Sequence, residues 1–187
     1  MKNYTQIVTK SIVVIYFTAM LFSCANSTEE VRNFLEEKNL PIGKAKEAYH
    51  VYKDSGEITS KLITPLLLDF SNRKNHPYNK FPKGIKIINF DNNGKDSVTI
   101  IGDFAVSYTS TDISEIRGNV VVINHTDKAR LETEQLFWDQ KTKYFVSEKA
   151  FVMYKENDTI TGIGFESKED LSKHLSKKTT GKIETKE

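Results

Sequence analysis

Residues 118–165 read GNVVVINHTDKARLETEQLFWDQKTKYFVSEKAFVMYKENDTITGIGF. Short runs rich in Val, Ile, Phe, Tyr and Thr are separated by polar turns at His125-Thr126-Asp127-Lys128, Asp139-Gln140-Lys141-Thr142 and Glu156-Asn157-Asp158. Runs of this length, broken by turn residues, predict antiparallel β-strands. The longer helical recurrence of apolar positions is absent. Each run with its turn forms a hairpin arm. Arms at similar spacing make a weak internal repeat, of the kind that builds an elongated stack of strands.

The same habit extends upstream. Residues 48–53 alternate, and Asp54-Ser55-Gly56-Glu57 predicts a hairpin turn. Residues 58–70 are the return strand, where Pro65 argues for an edge or a bulge. Residues 71–80 read as a polar loop. Phe81-Pro82-Lys83-Gly84 leads into an alternating strand over residues 85–90, which Asp91-Asn92-Asn93-Gly94 turns back into residues 97–102. Residues 103–109 and 113–123 continue the pattern.

Composition sets loose bounds. The chain has 187 residues, enough for one domain and a leader. A formal net charge of +2 gives no argument for nucleic acid or an acidic partner. Aromatic content of 11%, with 11 Phe and 8 Tyr, fits sheets with an apolar face.

The N-terminus reads as a leader. Lys2 and Lys10 precede an apolar segment over residues 12–22, IVVIYFTAMLF. That segment is short for a membrane span and has the layout of a secretory signal peptide. It ends in Leu21-Phe22-Ser23-Cys24, which resembles a bacterial lipobox, although Phe22 is bulkier than the usual occupant. Cleavage before Cys24 would leave it as an acylated N-terminus; the plainer alternative is an ordinary thiol. Cys24 is the sole cysteine, so its acylation would leave no thiol for a disulfide or a metal site. Each buried acyl methylene contributes about 0.8 kcal/mol, and two or three chains hold a protein on a membrane. In residues 25–46, Ser27-Thr28-Glu29-Glu30 predicts a capping box opening a short helix to Lys38, with Val31, Phe34 and Leu35 on one side. This segment reads as a spacer, with a partner-binding helix as the alternative. The expected organisation is residues 1–23 as lipoprotein signal peptide, 24–46 as acylated Cys and spacer, 47–182 as the β-domain and 183–187 as a tail.

Arg117-Gly118-Asn119-Val120, the run Leu131-Glu132-Thr133-Glu134-Gln135-Leu136-Phe137-Trp138-Asp139, and Thr161-Gly162-Ile163-Gly164-Phe165 carry a resemblance. With the strings around Tyr52–Pro65 and Phe81–Tyr108, the chain resembles the LptC family, periplasmic components of lipopolysaccharide export, over nearly all of residues 48–181. Many members carry a transmembrane N-terminal helix; the lipobox here matches a lipoprotein-anchored variant. The resemblance implies an all-β fold, an open, V-shaped β-jellyroll of antiparallel strands. It also implies a role without catalysis: accepting lipopolysaccharide from an inner-membrane ABC transporter and passing it to a periplasmic bridge protein of similar fold. The expected location is the periplasmic face of the inner membrane, held by the acyl anchor, with the outer membrane as the alternative. Period-two strands give each sheet one apolar face, and unpaired end strands can accept another protein's strand.

Under that resemblance, Leu131, Leu136, Phe137, Trp138, Phe151 and Phe165 line an acyl-holding interior. Their plainer reading is the core of a packed sandwich, and the sequence leaves open which parity faces inward. At the C-terminus two readings compete. Ser167-Lys168-Glu169-Asp170 with Leu171 and Leu175 suits a short helix. The family pattern instead continues as a final strand ending near Gly181, and the strand is favoured. His174, Ser176, Lys178 and Thr179 would then form an edge for the bridge protein. Asp96-Ser97-Val98 and Asp158-Thr159-Ile160 resemble acceptor motifs of periplasmic O-glycosylation at Ser97 and Thr159; two turns followed by strands is the plain reading.

Other chemistries find no support. Asp91-Asn92-Asn93-Gly94-Lys95-Asp96 lacks the glycine placement and closing Glu of a calcium loop, so a hairpin turn is the better reading. His50, His76, His125 and His174 are scattered without metal-ligand spacing. No nucleophile elbow or phosphate loop occurs. The expectation is a lipid carrier with no cofactor, metal or nucleic-acid partner. The alternative is a structural adaptor lipoprotein that pairs strand edges with envelope partners and carries no lipid.

Overall fold

A computed structural model describes residues 28–91, 93–156 and 158–179. One helix, α1 (Thr28–Glu37), precedes eleven strands: β1 (Gly43–Asp54), β2 (Glu57–Phe70), β3 (Tyr78–Phe81), β4 (Ile85–Phe90), β5 (Asp96–Gly102), β6 (Phe104–Tyr108), β7 (Ile113–Asn124), β8 (Arg130–Asp139), β9 (Tyr144–Lys155), β10 (Asp158–Lys168) and β11 (His174–Thr179). All the strand pairings are antiparallel. The chain is therefore nearly all-β, as its strand-and-turn pattern predicts, and consistent with the expected jellyroll.

The turns form where the sequence places turn residues. Ser55 and Gly56 have φ of 50° and 91°, the left-handed pair that matches hairpin twist. Asp91 Oδ1 accepts from the backbone N–H of Asn93 and of Lys95, both at 2.9 Å. That Asx turn closes the β4–β5 hairpin and occupies the carboxylate with backbone donors. It also holds the Asp91 carboxyl below its usual range, the Lys95 N–H contributing most.

Two expectations about boundaries need correction. The loop expected over residues 71–80 is interrupted by β3, whose Tyr78 and Lys80 pair with Phe70 and Leu68 of β2. Four residues are too few for a periodic signal, and only long-range pairing makes them a strand. At the other end, β1 begins at Gly43, ahead of the expected residue 47, because residues 43–46 find partners in residues 66–69 of β2.

Helix α1 also does more than fill space before the sheet. Arg73, in the β2–β3 connection, donates from Nη1 to the Leu35 carbonyl at 3.4 Å and from Nη2 to Asn39 Oδ1 at 2.9 Å and the Leu40 carbonyl at 3.3 Å. These bonds place the guanidinium at the C-terminal end of the helix, where a cation is favoured. No residue of α1 is buried, so its attachment is mainly polar.

The sheet is creased across its middle. β2 pairs with β4 through residues 60–63 and with β3 through residues 68–70. β7 pairs with β6 through residues 113–117 and with β5 through residues 121–124. Each long strand thus belongs to two leaves. The first leaf holds β4 and β5, the second β3 and β6. Breaks in register lie along the crease: at Gly118-Asn119 in β7, between Thr133 and Phe137 in β8, and beside Gly164 in β10. A break in register can change which parity faces inward. In β8 the buried residues are Leu131 and Thr133 before the break and Leu136 and Trp138 after it.

Inward-facing hydroxyls donate to carbonyls along the crease. Thr64 Oγ1 donates to the Gly84 carbonyl at 2.8 Å, beside Pro65, and Thr133 Oγ1 donates to the Ala150 carbonyl at 2.9 Å. Between the leaves lies one apolar cluster drawn from β2 to β10. Ile100, Ile116, Val122, Leu131, Leu136, Phe145, Met153 and Phe165 are its fully buried members. Each such side chain stabilises the fold by about 1.5–3 kcal/mol relative to exposure.

Candidate functional site

Between the free margins of the two leaves, a cleft of about 140 Å³ opens into this core. Its inner wall is Leu62, Ile85 and Ile87 from the first leaf and Phe81 and Trp138 from the second. Its rim is polar: Tyr52, Ser60, Asn79, Ser107, Ser114 and Gln140. Period two puts Ile85 and Ile87 on one side of β4 with Lys86 on the other, and Ser107 beside Ala105 on the inner side of β6. Rim groups bond one another. Ser114 Oγ donates to Ser107 Oγ at 2.9 Å, and Gln140 Nε2 donates to Ser114 Oγ at 2.8 Å. An apolar floor under a neutral polar rim suits the junction between an apolar chain and a polar headgroup. It holds no charged side chain aimed at a reacting atom.

Trp138 sits where cleft and core meet. Its ring packs at 6.1 Å from that of Phe145, and its indole N–H donates to Glu169 Oε2 at 3.2 Å. Lys143 Nζ lies 3.7 Å from the same oxygen. Glu169 belongs to the connection between β10 and β11, which crosses this margin.

The interior residues expected from sequence fall into two groups. Leu131, Leu136 and Phe165 are completely buried, Phe151 is 2% exposed and Trp138 6%. All five belong to the one core cluster, and Trp138 alone reaches the cleft. Phe137 takes the opposite parity. It is half-buried on the outer face, paired with Glu115 and Val146, because strand alternation puts it on the reverse side from Leu136 and Trp138. Leu62, Phe81, Ile85 and Ile87 were not singled out by sequence reading. The alternation of residues 85–88 was a signal that they share a face, but not that the face borders an opening.

The second leaf carries a buried carboxylate on its outer face. Glu115 receives Arg117 Nε at 2.7 Å and Arg117 Nη2 at 2.6 Å, and Gln135 Nε2 bonds the same carboxylate. Burial alone would raise the Glu115 carboxyl, but the Arg117 and Gln135 hydrogen bonds and the Arg117 charge hold it below its usual value. Arg117 also lies over the Phe104 ring at 5.8 Å. Arg117 of the family-like Arg117-Gly118-Asn119 triplet is thus a structural ion pair in this fold.

The candidate edge residues all lie on β11 or at its ends. β11 is the last strand of the sheet, paired with β10 and with no further strand beside it among the described residues; β1 is the corresponding strand at the other end. The C-terminal segment is a strand, not a helix, and the two leucines of the rival helical stripe separate completely. Leu171 is 1% exposed and Leu175 is 72% exposed. Burial lowers the His174 pKa, and Lys155, whose Nζ lies 3.4 Å from His174 Nδ1, lowers it further. Ser97 is half-buried and Thr159 exposed, each near the start of its strand. Cys24 and the leader lie outside the described residues. Among the described residues no helix is long and apolar enough to cross a membrane, and no cluster of three or more His, Asp or Glu could hold a metal.

A creased antiparallel jellyroll with an apolar interior, an opening between its leaves and a terminal strand at each end of its sheet defines the class of edge-bearing β-jellyroll proteins. Residues 13–184 match the family described as "Lipopolysaccharide-assembly, LptC-related", and the chain belongs to that family. Membership assigns it a part in lipopolysaccharide transport, in the periplasm and in association with the inner membrane, in a family of transport components and not of enzymes. No curated protein matches the chain.

Proposed function

We propose that this chain accepts lipopolysaccharide from an inner-membrane ABC transporter and passes it to a periplasmic bridge protein of similar fold. The acyl chains enter between the leaves beside Trp138, and the sugar headgroup stays at the polar rim. The observation that carries this reading is the cleft itself, which joins an apolar floor continuous with the core to a rim of uncharged polar groups. The exposed terminal strand β11 supports an edge-to-edge docking site for the bridge protein through His174, Ser176, Lys178 and Thr179. A Cys24 acyl anchor would hold the domain at the inner-membrane surface.

One observation favours a second reading. The cleft's 140 Å³ is well below the ~300 Å³ at which drug-sized ligand sites begin, and the surrounding interior is packed. An adaptor lipoprotein that pairs edges without carrying lipid needs no interior space. The carrier reading requires the leaves to separate when lipid is present. Photo-crosslinking in cells from Ile87 decides between them. A lipopolysaccharide adduct is expected of a carrier, and adducts to protein alone would establish the adaptor.

A further inference from the structure

The β10–β11 connection, residues 169–173, ties the two leaves together. Glu169 accepts from Trp138 of β8, in the second leaf. The carbonyl of Asp170 accepts from Asn124 Nδ2, at the end of β7 in the first leaf. Between these ties and the start of β11 stands Leu171. It is 1% exposed and belongs to the core cluster, although it comes from a loop and not from a strand. Its φ is 58°, left-handed backbone that L side chains other than Asn and Asp rarely adopt.

The loop's own geometry does not call for leucine. Leu171 N–H bonds the Lys168 carbonyl at 2.9 Å, and Asp170 Oδ1 accepts from Ser172 N–H at 2.9 Å. Such a turn is served better by glycine or asparagine at the left-handed position. What leucine adds is an apolar side chain inserted between the leaves, held there in a disfavoured backbone conformation. Strain of this kind persists where the surroundings over-determine it, and it gathers at ligand clamps and switches.

We propose that Leu171 is a displaceable plug: it fills an acyl subsite between the leaves, and an incoming acyl chain takes its place when the loop swings away from Trp138 and Asn124. This rests on the carrier reading above; the subsite would adjoin the cleft through Trp138, which lines the cleft and bonds the loop. Swinging out relieves the left-handed backbone, and burial of the acyl chain replaces burial of the leucine, so the exchange runs with little change in apolar area exposed to water. Opening also breaks the Asn124–Asp170 bond, which reaches from this loop to the other leaf.

Trp138, the only tryptophan in the chain, reports on this site directly. The test titrates the purified full chain with lipid A carrying a nitroxide-labelled acyl chain and follows quenching of Trp138 fluorescence. Leu171→Gly vacates the subsite and suits the left-handed backbone, so it should bind several-fold more tightly than wild type. Asn124→Cys with Asp170→Cys, in a Cys24→Ser chain to avoid mispairing, locks the loop shut; quenching should disappear on oxidation and return with reductant. If Leu171→Gly loses its near-ultraviolet circular dichroism, the locked pair decides alone. Equal quenching of wild type, Leu171→Gly and the locked pair overturns the plug and leaves the carrier reading standing. No quenching in any of them overturns both.

Discussion

Asn119 donates a hydrogen bond of 2.6 Å from Nδ2 to Asp103 Oδ2, joining β7 to the β5–β6 junction at the crease. The Asp103 N–H in turn bonds the Gly118 carbonyl at 3.0 Å. Gly118 and Asn119 have φ of 73° and 46°, so β7 changes leaf through two consecutive left-handed residues. Asn is among the few side chains that tolerate that region.

The crease should therefore be sensitive to a single methyl group. A Cβ at Gly118 would lie 3.1 Å from both Cβ and Oδ2 of Asp103, on backbone that already disfavours any side chain. Gly118→Ala should destabilise the domain by about 1–2 kcal/mol from the backbone alone. Asn119→Ala should also lower stability, through the lost bond. Urea unfolding is the measurement; midpoints equal to wild type for both variants would show that the clasp contributes nothing to stability.

Glu115 should make stability depend on pH. Its carboxyl is held below the ordinary value in the folded state, so the unfolded chain binds the proton more readily. Its contribution is then present above the unfolded-state carboxylate pKa and is lost as pH falls through the folded value. Glu115→Gln should be less stable than wild type at neutral pH, with the gap closing in acid. Denaturation midpoints from pH 7 down to about 3 test this; a gap that stays constant or widens in acid means the ion pair with Arg117 is not its source.

The bridge-docking proposal concerns the backbone of β11. Thr179 is exposed and pairs with Gly162 near the end of the strand. Proline there removes a donor without opening the core. Thr179→Pro should weaken capture of the bridge protein while leaving the melting temperature nearly unchanged. Undiminished capture by a variant of unaltered stability would exclude this edge as the docking site.

Intact mass of the native protein tests the two modification proposals together. Acylation at Cys24 adds the mass of its acyl groups, and Cys24→Ala should leave the precursor uncleaved by the lipoprotein peptidase. Hexose additions lost in Ser97→Ala or Thr159→Ala would establish O-glycosylation. Thr159 is exposed and open to a transferase, whereas half-buried Ser97 is less accessible. A mature protein with an unmodified Cys24 removes the anchor, and an absence of hexose removes the glycans.

Much of the fold was legible because its signals are local. The left-handed pair Ser55-Gly56 and the Asx turn at Asp91 follow from side chains next to the turn they make. The alternation of residues 85–88 likewise reports its own strand. β3 was missed because four residues between polar segments hold no period to read. Phe137 was misassigned for a different reason: in a run of three large apolar residues, Leu136-Phe137-Trp138, nothing local says which two face inward.

The sequence by itself determined that this chain is an antiparallel β-protein, where most of its hairpins turn, and which family it joins. Those features depend on residue type, on the left-handed tolerance of Gly, Asn and Asp, and on a period of two, all set within a few residues. Tertiary structure decided the rest. Period two assigns a side chain to a face only as far as the next break in register, and the breaks after Thr133 in β8 and at Gly164 in β10 are fixed by pairing across hairpins, with residues beyond the reach of a local period. The same long-range pairing divides β2 and β7 between two leaves, sets Trp138 at their margin, and turns Leu171 into the core while Leu175, four residues on, faces water.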